Sequence, residues 1–187
     1  MVDFILSDMV NAGIRDVGVI MHGKCQSMMD HLRSGKSWDL SRSFGGLTLL
    51  PVFAYNSARG NGRFRGKLEA LDVVRDYLRH IGQDYVLLAD SDVALNIDLQ
   101  AVLRAHIDTG ADVTAVCAPS TGDGMYLVAD ETGRVREVVE NLRRGNRCLQ
   151  IFLLRTELLL SLVERFVSRH EYSFQECVLQ GLTKEMH

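Results

Sequence analysis

Neither sign of charge dominates this chain, and no apolar run in it is long. Its 187 residues contain 21 Lys plus Arg against 24 Asp plus Glu, a formal net charge of -3. A protein without a basic excess lacks the electrostatic footprint of nucleic-acid binding. No run approaches the roughly 18 apolar residues of a membrane span, and Asp3, Ser7 and Asp8 interrupt the start as no signal peptide would. The sequence predicts a soluble cytoplasmic protein that binds neither nucleic acid nor membrane.

Familiar metal and nucleophile motifs are also missing. The four cysteines include no C-x-x-C pair, and the six histidines form no H-x-x-x-H pattern. A zinc site is therefore not expected, and we interpret the cysteines as reduced thiols that pack as small apolar groups. There is no G-x-S-x-G nucleophile elbow and no P-loop. These absences argue against a zinc enzyme, a nucleophile-elbow hydrolase and a P-loop enzyme. They do not indicate which other class the chain belongs to.

What the sequence does contain is an apolar pattern whose period changes repeatedly. A helical period predicts helices over residues 4–10, 28–32, 67–81, 99–106, 158–167 and 174–182. Apolar or alternating runs predict strands over residues 17–21, 47–53, 84–89, 111–118, 125–129, 135–139 and 148–154. No linker divides the chain, so we predict one domain, residues 1–187. The order of elements indicates an α/β fold, a three-layer sandwich with a mixed, mostly parallel sheet.

Two residues add detail to this pattern. Pro51 lies inside the apolar run 47–53 and has no N–H to donate, which predicts an edge strand or a strand end there. Asp98 stands just before the helix that starts near Leu99 and is a predicted N-cap.

The segment Asp90-Ser91-Asp92 is the first candidate for chemistry. It follows the predicted strand 84–89, and in open α/β sheets ligands gather beyond the carboxyl ends of strands. A carboxylate there can bind a divalent metal that bridges phosphate oxygens. The alternative is an Asx-turn that only ends the strand.

The segment from Arg59 to Gly66 is the second candidate. Its three arginines and its backbone amides precede a strong helix and could cradle a phosphate group. It matches neither G-x-G-x-x-G nor a P-loop, and a solvated loop is the alternative. Neither candidate names a reaction.

Several segments, in order along the chain, resemble motifs of the glucose-1-phosphate adenylyltransferases. V-D-F-I-L-S and N-A-G-I-R, at residues 2–7 and 11–15, are similar to the family's I-D-F-x-L-S-N-x-x-N-S-G-I. F-R-G-K-L-E-A-L at residues 64–71 is similar to Y-R-G-T-A-D-A-V. Residues 85–98 resemble the strand that ends in G-D-x-x-Y-x-M-D, and G-A-D-V-T at 110–114 matches G-A-D-x-T. The resemblance implies a nucleotide-diphospho-sugar transferase-like, Rossmann-like fold.

The departures from the family pattern fall on residues with chemical roles. Active members open with a strand and a Gly-rich nucleotide loop, G-G-x-G-x-R-L, and this chain begins after that point. The glycine before the metal-binding aspartate is Ser91 here, while the aspartate is kept as Asp92. The family's V-E-K-P, whose lysine holds the sugar phosphate, reads V-E-N-L here, with Glu140 and Asn141. Where the family has its second metal-binding aspartate, this chain has Ser173.

Two charges that would stabilise a pyrophosphoryl transition state are thus replaced. The resemblance implies a GlgD-type regulatory subunit of glycogen biosynthesis, which partners a catalytic glucose-1-phosphate adenylyltransferase subunit in a hetero-oligomer. That enzyme makes ADP-glucose from ATP and glucose-1-phosphate. No catalytic residue is then expected, and Asp92 is the one candidate metal ligand. Mg²⁺, the family's metal, is not expected to bind tightly. Vestigial contacts to ATP, ADP-glucose or a sugar phosphate are expected at Arg65, Gly66, Ser91, Glu140 and Asn141.

Two other functions stay open. The first is an active sugar-phosphate nucleotidyltransferase, favoured by Asp92 and Arg65, and the second is a stand-alone nucleotide-sugar binding module. The resemblance also implies an incomplete domain, truncated before the family's first strand and lacking the C-terminal left-handed β-helix domain. In the family that first strand lies beside the strands that correspond to residues 17–21 and 85–89, so we expect the isolated chain to be prone to aggregation or partly molten.

Overall fold

The computed structural model describes residues 1–23, 25–42, 45–52, 65–92, 95–140, 142 and 144–180. Their helices are α1 (Val2–Asn11), α2 (Gln26–Leu32), α3 (Lys67–Val73), α4 (Arg75–His80), α5 (Leu99–Thr109) and α6 (Thr156–Val167). Their strands are β1 (Asp16–His22), β2 (Gly46–Val52), β3 (Tyr85–Ala89), β4 (Val113–Ser120), β5 (Met125–Ala129), β6 (Val135–Glu140) and β7 (Gly145–Arg155). A 3₁₀ turn (Lys36–Trp38) and a π-helical turn (Gln175–Gln180) complete the list. None of the helices in these ranges is long and apolar enough to cross a membrane.

Most predicted elements are confirmed, with differences at two helices. The single helix predicted over 67–81 is divided into α3 and α4 at Val74, whose φ of -97° and ψ of 15° leave helical geometry. Leu68, Leu71, Val74 and Leu78 are nevertheless all buried, so the apolar period continues across the break and conceals it. The helix predicted over 174–182 is a π-helical turn at Gln175–Gln180, and the residues after it lie outside the described part of the chain.

The strands form two hydrogen-bonded sheets. β1 and β2 pair in parallel, from Asp16 opposite Gly46 to His22 opposite Val52. Among the described residues β2 has no second neighbour, which agrees with the edge position predicted from Pro51. The second sheet contains β3, β4, β5, β6 and β7.

The mixed α/β class is confirmed, but the expected predominance of parallel pairs is not seen among the described strands. β7 lies between β3 and β4 and runs antiparallel to both, and β5 is antiparallel to β6 and β7. Apolar runs reveal that a segment is a strand but not its direction. The late strand β7 enters between two strands that are parallel to each other, so both of its interfaces are antiparallel.

Helices cover both faces of the two sheets. One apolar cluster joins α3, α4 and α6 to Val52 of β2 and to Phe152 and Leu154 of β7. The other joins α1, α2 and α5 to Val17 of β1 and Ile151 of β7. Each cluster receives residues from both sheets, so the sheets form one layer between two helical layers, as the three-layer prediction required.

The ends of α5 follow elementary helix chemistry. The Asp98 carboxylate accepts a hydrogen bond from the backbone N–H of Ala101 at 3.0 Å, which confirms the predicted N-cap. Gly110 ends the helix with a φ of 62°, in the left-handed region that glycine adopts without strain. This short, well-defined helix leads the chain from the end of β3 back to the start of β4.

Candidate functional site

The acidic segment at the carboxyl end of β3 contacts the residue that directly follows the arginine-rich segment, Lys67. The Asp90 carboxylate binds the ammonium of Lys67, the first residue of α3, with Nζ 2.9 Å from Oδ1 and 3.0 Å from Oδ2. The backbone N–H of Asp90 donates to the carbonyl oxygen of Gln150 in β7 at 3.4 Å. Ser91 and Asp92 are exposed, and Asp92 makes no hydrogen bond or ion pair with another described residue.

Lys67 is held on its other side by an aromatic ring. Its Nζ lies 5.5 Å from the centroid of Phe152, a fully buried residue of β7. A cation over an aromatic face is attracted by the negative charge density of the ring. The ammonium therefore has a fixed place between a carboxylate and an apolar wall, and its side chain is only 22% exposed.

Arg65 is also paired with a carboxylate, while its side chain is 46% exposed. Its Nε and Nη2 donate to Oε1 of Glu69 at 3.1 and 2.7 Å, and its backbone N–H donates to Oε2 at 2.7 Å. Its guanidinium lies 3.7 Å from the centroid of the Tyr172 ring. The arginine therefore anchors the start of α3, and its charge is compensated within the protein.

The pKa values of the pair agree with this structural role. Burial raises the pKa of the Glu69 carboxyl, but the hydrogen bonds from Arg65 outweigh it and leave the pKa below its usual 4.5. The hydrogen bond to Glu69 raises the pKa of Arg65 in return. Both groups are thus charged at neutral pH, and Glu69 is held as a buried carboxylate.

Gly66 permits a close approach of two backbone segments. A Cβ at this position would overlap the carbonyl oxygen of Tyr172, which accepts a hydrogen bond from the N–H of Leu68 at 3.1 Å. Residue 66 can therefore carry no side chain here. Residues 59–64, the rest of the predicted phosphate loop, lie outside the described residues.

The remaining predicted site residues are less closely connected. Glu140 is exposed at the end of β6 and forms no hydrogen bond or ion pair with the described residues at the end of β3. Asn141 lies outside the described residues. The Ser173 hydroxyl oxygen accepts a hydrogen bond from the N–H of Glu176 at 3.3 Å, at the start of the π-helical turn. The structure thus brings Arg65, Gly66 and Ser173 together near the start of α3.

Sequence reasoning missed Lys67, and it missed Gln150, whose carbonyl oxygen accepts a hydrogen bond from Asp90, together with the partner of Gln150, Gln175. Gln150 has a φ of 59°, unusual for a residue other than glycine, at a point where the β4–β7 register is irregular. Its side-chain oxygen accepts a hydrogen bond from Gln175 Nε2 at 3.0 Å. The one available signal was Lys67 itself, because a cation in the first turn of a helix opposes the helix dipole. Nothing in the sequence marks the left-handed conformation of Gln150.

The donors at the end of β3 do not fit a divalent metal. Mg²⁺ requires near-octahedral oxygen ligation and usually one or two carboxylates of the protein. Here Asp90 is neutralised by Lys67, Asp92 is a single exposed carboxylate, and Ser173 offers a hydroxyl. The described residues contain no group of three His, Cys, Asp or Glu side chains able to hold an ion. The site therefore presents one uncompensated carboxylate beside an ammonium.

Comparison with known proteins identifies the family. A sequence model described as "Nucleotidyl transferase" matches residues 1–186. The chain belongs to this family. The match extends over nearly all of the chain, including the candidate segments 59–66 and 90–92.

Individual relatives carry two kinds of name. The chain is 32% identical over 180 residues to glycogen biosynthesis protein GlgD of Geobacillus stearothermophilus, covering 95% of this chain and 44% of the relative. It is 35% identical over 130 residues to GlgD of Bacillus subtilis, covering 69% and 37%. It is 33% identical over 117 residues to glucose-1-phosphate adenylyltransferase of Pseudothermotoga lettingae, covering 63% and 27%. The chain thus spans less than half the length of these relatives, and the resemblance to GlgD-type members is confirmed.

Proposed function

We propose that the chain is a regulatory, non-catalytic subunit of a glucose-1-phosphate adenylyltransferase in glycogen biosynthesis. The observation that carries the proposal is the ion pair between Lys67 and Asp90 at the carboxyl end of β3. It commits one of the two carboxylates of the acidic segment to an internal partner. The similarity to proteins named GlgD supports the same assignment.

The electrostatics of phosphoryl transfer support the non-catalytic part of the proposal. Such reactions depend on cations aimed at the charge that develops on the transferred group. Arg65 forms an ion pair with Glu69, and Lys67 forms an ion pair with Asp90. Both described cations at the start of α3 are therefore already paired with carboxylates of the protein.

A catalytic subunit is the proposed partner, and the surface of one helical layer supports a protein contact. Phe4 on α1 and Ile107 on α5 are 55% and 54% exposed. Both helices cover the same face of the sheet layer, since their buried residues belong to one cluster. Contiguous exposed apolar patches are typical of surfaces that bind another protein, and these two residues are the candidates for such a patch on this face.

Reconstitution tests this proposal. The full chain is mixed with a catalytic glucose-1-phosphate adenylyltransferase, and both complex formation and ADP-glucose synthesis are measured. We expect a stable complex whose synthesis rate, or its response to effectors, differs from that of the catalytic subunit alone. Phe4→Asp should weaken the complex, whereas Val128→Asp, at an exposed position in the β5 hairpin strand, serves as the matched control. A lack of complex at micromolar concentrations would contradict the proposal.

An active nucleotidyltransferase is the second candidate, because Asp92 is exposed and uncompensated among the described residues. A stand-alone module for ATP, ADP-glucose or a sugar phosphate would instead bind its ligand without a partner. Turnover by the chain alone identifies the first alternative. Ligand binding without complex formation identifies the second.

A further inference from the structure

The contacts of Lys67 are more complete than those of an ordinary surface lysine. Its Nζ lies within 3.0 Å of both carboxylate oxygens of Asp90, and the Phe152 ring covers another side. The ion pair joins the first residue of α3 to the residue that follows β3. It therefore connects two elements of the fold at the strand end where ligands of α/β proteins bind.

The position of the ammonium is fixed by the backbone that carries it. The Leu68 N–H donates to the Tyr172 carbonyl at 3.1 Å, and Gly66 lets the two backbones approach. Arg65 locks the same turn through three hydrogen bonds to Glu69. The lysine thus projects from a rigid start of α3, and its charge has no need to reorganise.

We propose that Lys67 is the resident cation of this site and takes the place of a divalent metal ion at the end of β3. Its charge neutralises Asp90 and leaves Asp92, two residues along the chain, as a single carboxylate. A dication that approaches Asp92 is repelled by an ammonium it cannot displace without breaking the ion pair. The site accordingly excludes divalent metals, and removing the lysine charge converts it into a metal-binding site.

The charges around the pair agree with this assignment. The other described cation at the start of α3 is Arg65, and it is compensated by Glu69. Loss of the Lys67 charge therefore leaves Asp90 and Asp92 as two carboxylates with no described cation paired to either. Two uncompensated carboxylates in one short segment attract a divalent cation more strongly than one does.

Mn²⁺ binding to the full chain, without any other ligand, tests the inference. Binding is measured as the decrease in the electron paramagnetic resonance signal of free Mn²⁺. The wild-type chain is expected to bind Mn²⁺ more weakly than about 1 mM, the weak extreme of protein oxygen sites. Lys67→Met should bind about tenfold more tightly or better. Lys67→Arg, which keeps the cation, should remain like wild type, and Lys67→Met with Asp90→Asn should lose the gain.

Lys36→Met is the matched control, since Lys36 is an exposed lysine in the 3₁₀ turn, and its binding should not change. Circular dichroism verifies that each variant is folded. If Lys67→Met does not fold, Lys67→Gln replaces it, because glutamine keeps a hydrogen-bond donor for Asp90 without the charge. Tight Mn²⁺ binding by the wild-type chain, or no gain in the uncharged variants, would overturn the inference. The inference about Lys67 rests on the proposed function, because it treats the strand end as a non-catalytic site. The Mn²⁺ measurement tests the inference, and subunit assembly tests the proposed function, so a failure of one is distinguishable from a failure of the other.

Discussion

The two sheets of this protein differ in how completely their strands are enclosed. β7 is hydrogen-bonded on both sides, and its residues Ile151–Leu154 are all buried. β1 and β2 pair only with each other among the described residues, and three of their hydrophobic residues, Val17, Met21 and Val52, are buried. Both sheets nevertheless contribute to the same two apolar clusters. One layer therefore contains a strand that is hydrogen-bonded on both sides and, among the described residues, two strands that are bonded only to each other.

The candidate site belongs to the enclosed part. Asp90 follows β3, Gln150 lies in β7, and Lys67 packs over Phe152. The β1–β2 pair carries none of these residues. Fixed side-chain geometry needs rigid support, which the β7-centred sheet supplies. Among the described strands β1 pairs only with β2 and β3 only with β7, and the expected aggregation of the isolated chain stays a prediction.

Truncating one leucine in each sheet should give the largest contrast in stability. Leu154 in β7 is fully buried, while Leu50 in β2 is partly buried in the same cluster. We expect Leu154→Ala to lower the free energy of unfolding by about 3–4 kcal/mol and Leu50→Ala by about 1–2 kcal/mol. Urea unfolding of both variants measures the difference. Equal losses would mean that the two sheets are equally enclosed.

A methyl group added at a glycine probes the tightness of each part. In Gly66→Ala the new Cβ meets the backbone carbonyl of Tyr172, whereas in Gly18→Ala of β1 it meets the Tyr77 ring at 2.8 Å. A side-chain ring can move aside more easily than backbone. Gly66→Ala should therefore cost about 2–3 kcal/mol and Gly18→Ala about 1 kcal/mol. Thermal unfolding compares them, and a larger loss at Gly18 would reverse our interpretation of which part is rigid.

The contribution of the Glu69 carboxylate to the free energy of unfolding should depend on pH. Its pKa in the folded protein is lower than the usual 4.5, so the unfolded chain binds a proton more readily than the folded one. The stabilisation is complete above the unfolded pKa and is lost as the pH falls through the folded pKa. Glu69→Gln should cost about 1–2 kcal/mol at neutral pH, and the difference from wild type should shrink in acid. Urea unfolding between pH 7 and pH 3 measures it, and a constant difference would contradict the pKa shift.

Substitutions at Gln150 should give the smallest difference in the free energy of unfolding. Here glycine should be more stabilising than alanine, the reverse of the usual order in a strand. The φ of 59° at Gln150 is strained for any residue with a Cβ. Both Gln150→Gly and Gln150→Ala remove the hydrogen bond from Gln175, but only glycine relieves the strain. The glycine variant should be more stable than the alanine variant by about 0.5–1 kcal/mol. Val19 in β1 is the internal control. There the alanine variant should be more stable than the glycine variant, which is the ordinary order.

The sequence predicts much of the fold because helix and strand periods follow directly from which side chains are buried. Pro51 indicated an edge, and Asp98 indicated a helix start, since each acts through its own backbone or its immediate neighbours. The break at Val74 and the antiparallel course of β7 were not predictable. Both depend on contacts with distant segments, and neither changes the apolar period.

The site shows the same limit more sharply. The sequence placed Asp90 after a strand and Arg65 before a helix, but it could not reveal that Lys67 joins these two ends. That ion pair links residues 23 positions apart, and its formation depends on how α3 packs against β3 and β7. The strained Gln150 is likewise a consequence of the irregular β4–β7 register and not of its neighbours in sequence.

Synthesis of ADP-glucose by the chain alone tests the central claim most directly. With ATP, glucose-1-phosphate and Mg²⁺, we expect no turnover, because the cations at the start of α3 are committed to Glu69 and Asp90 and a serine occupies position 173. Radiolabelled ATP makes slow product formation measurable, with Asp92→Ala as the paired variant. Turnover above about 1 s⁻¹, an ordinary enzyme rate, that disappears in Asp92→Ala would contradict the account.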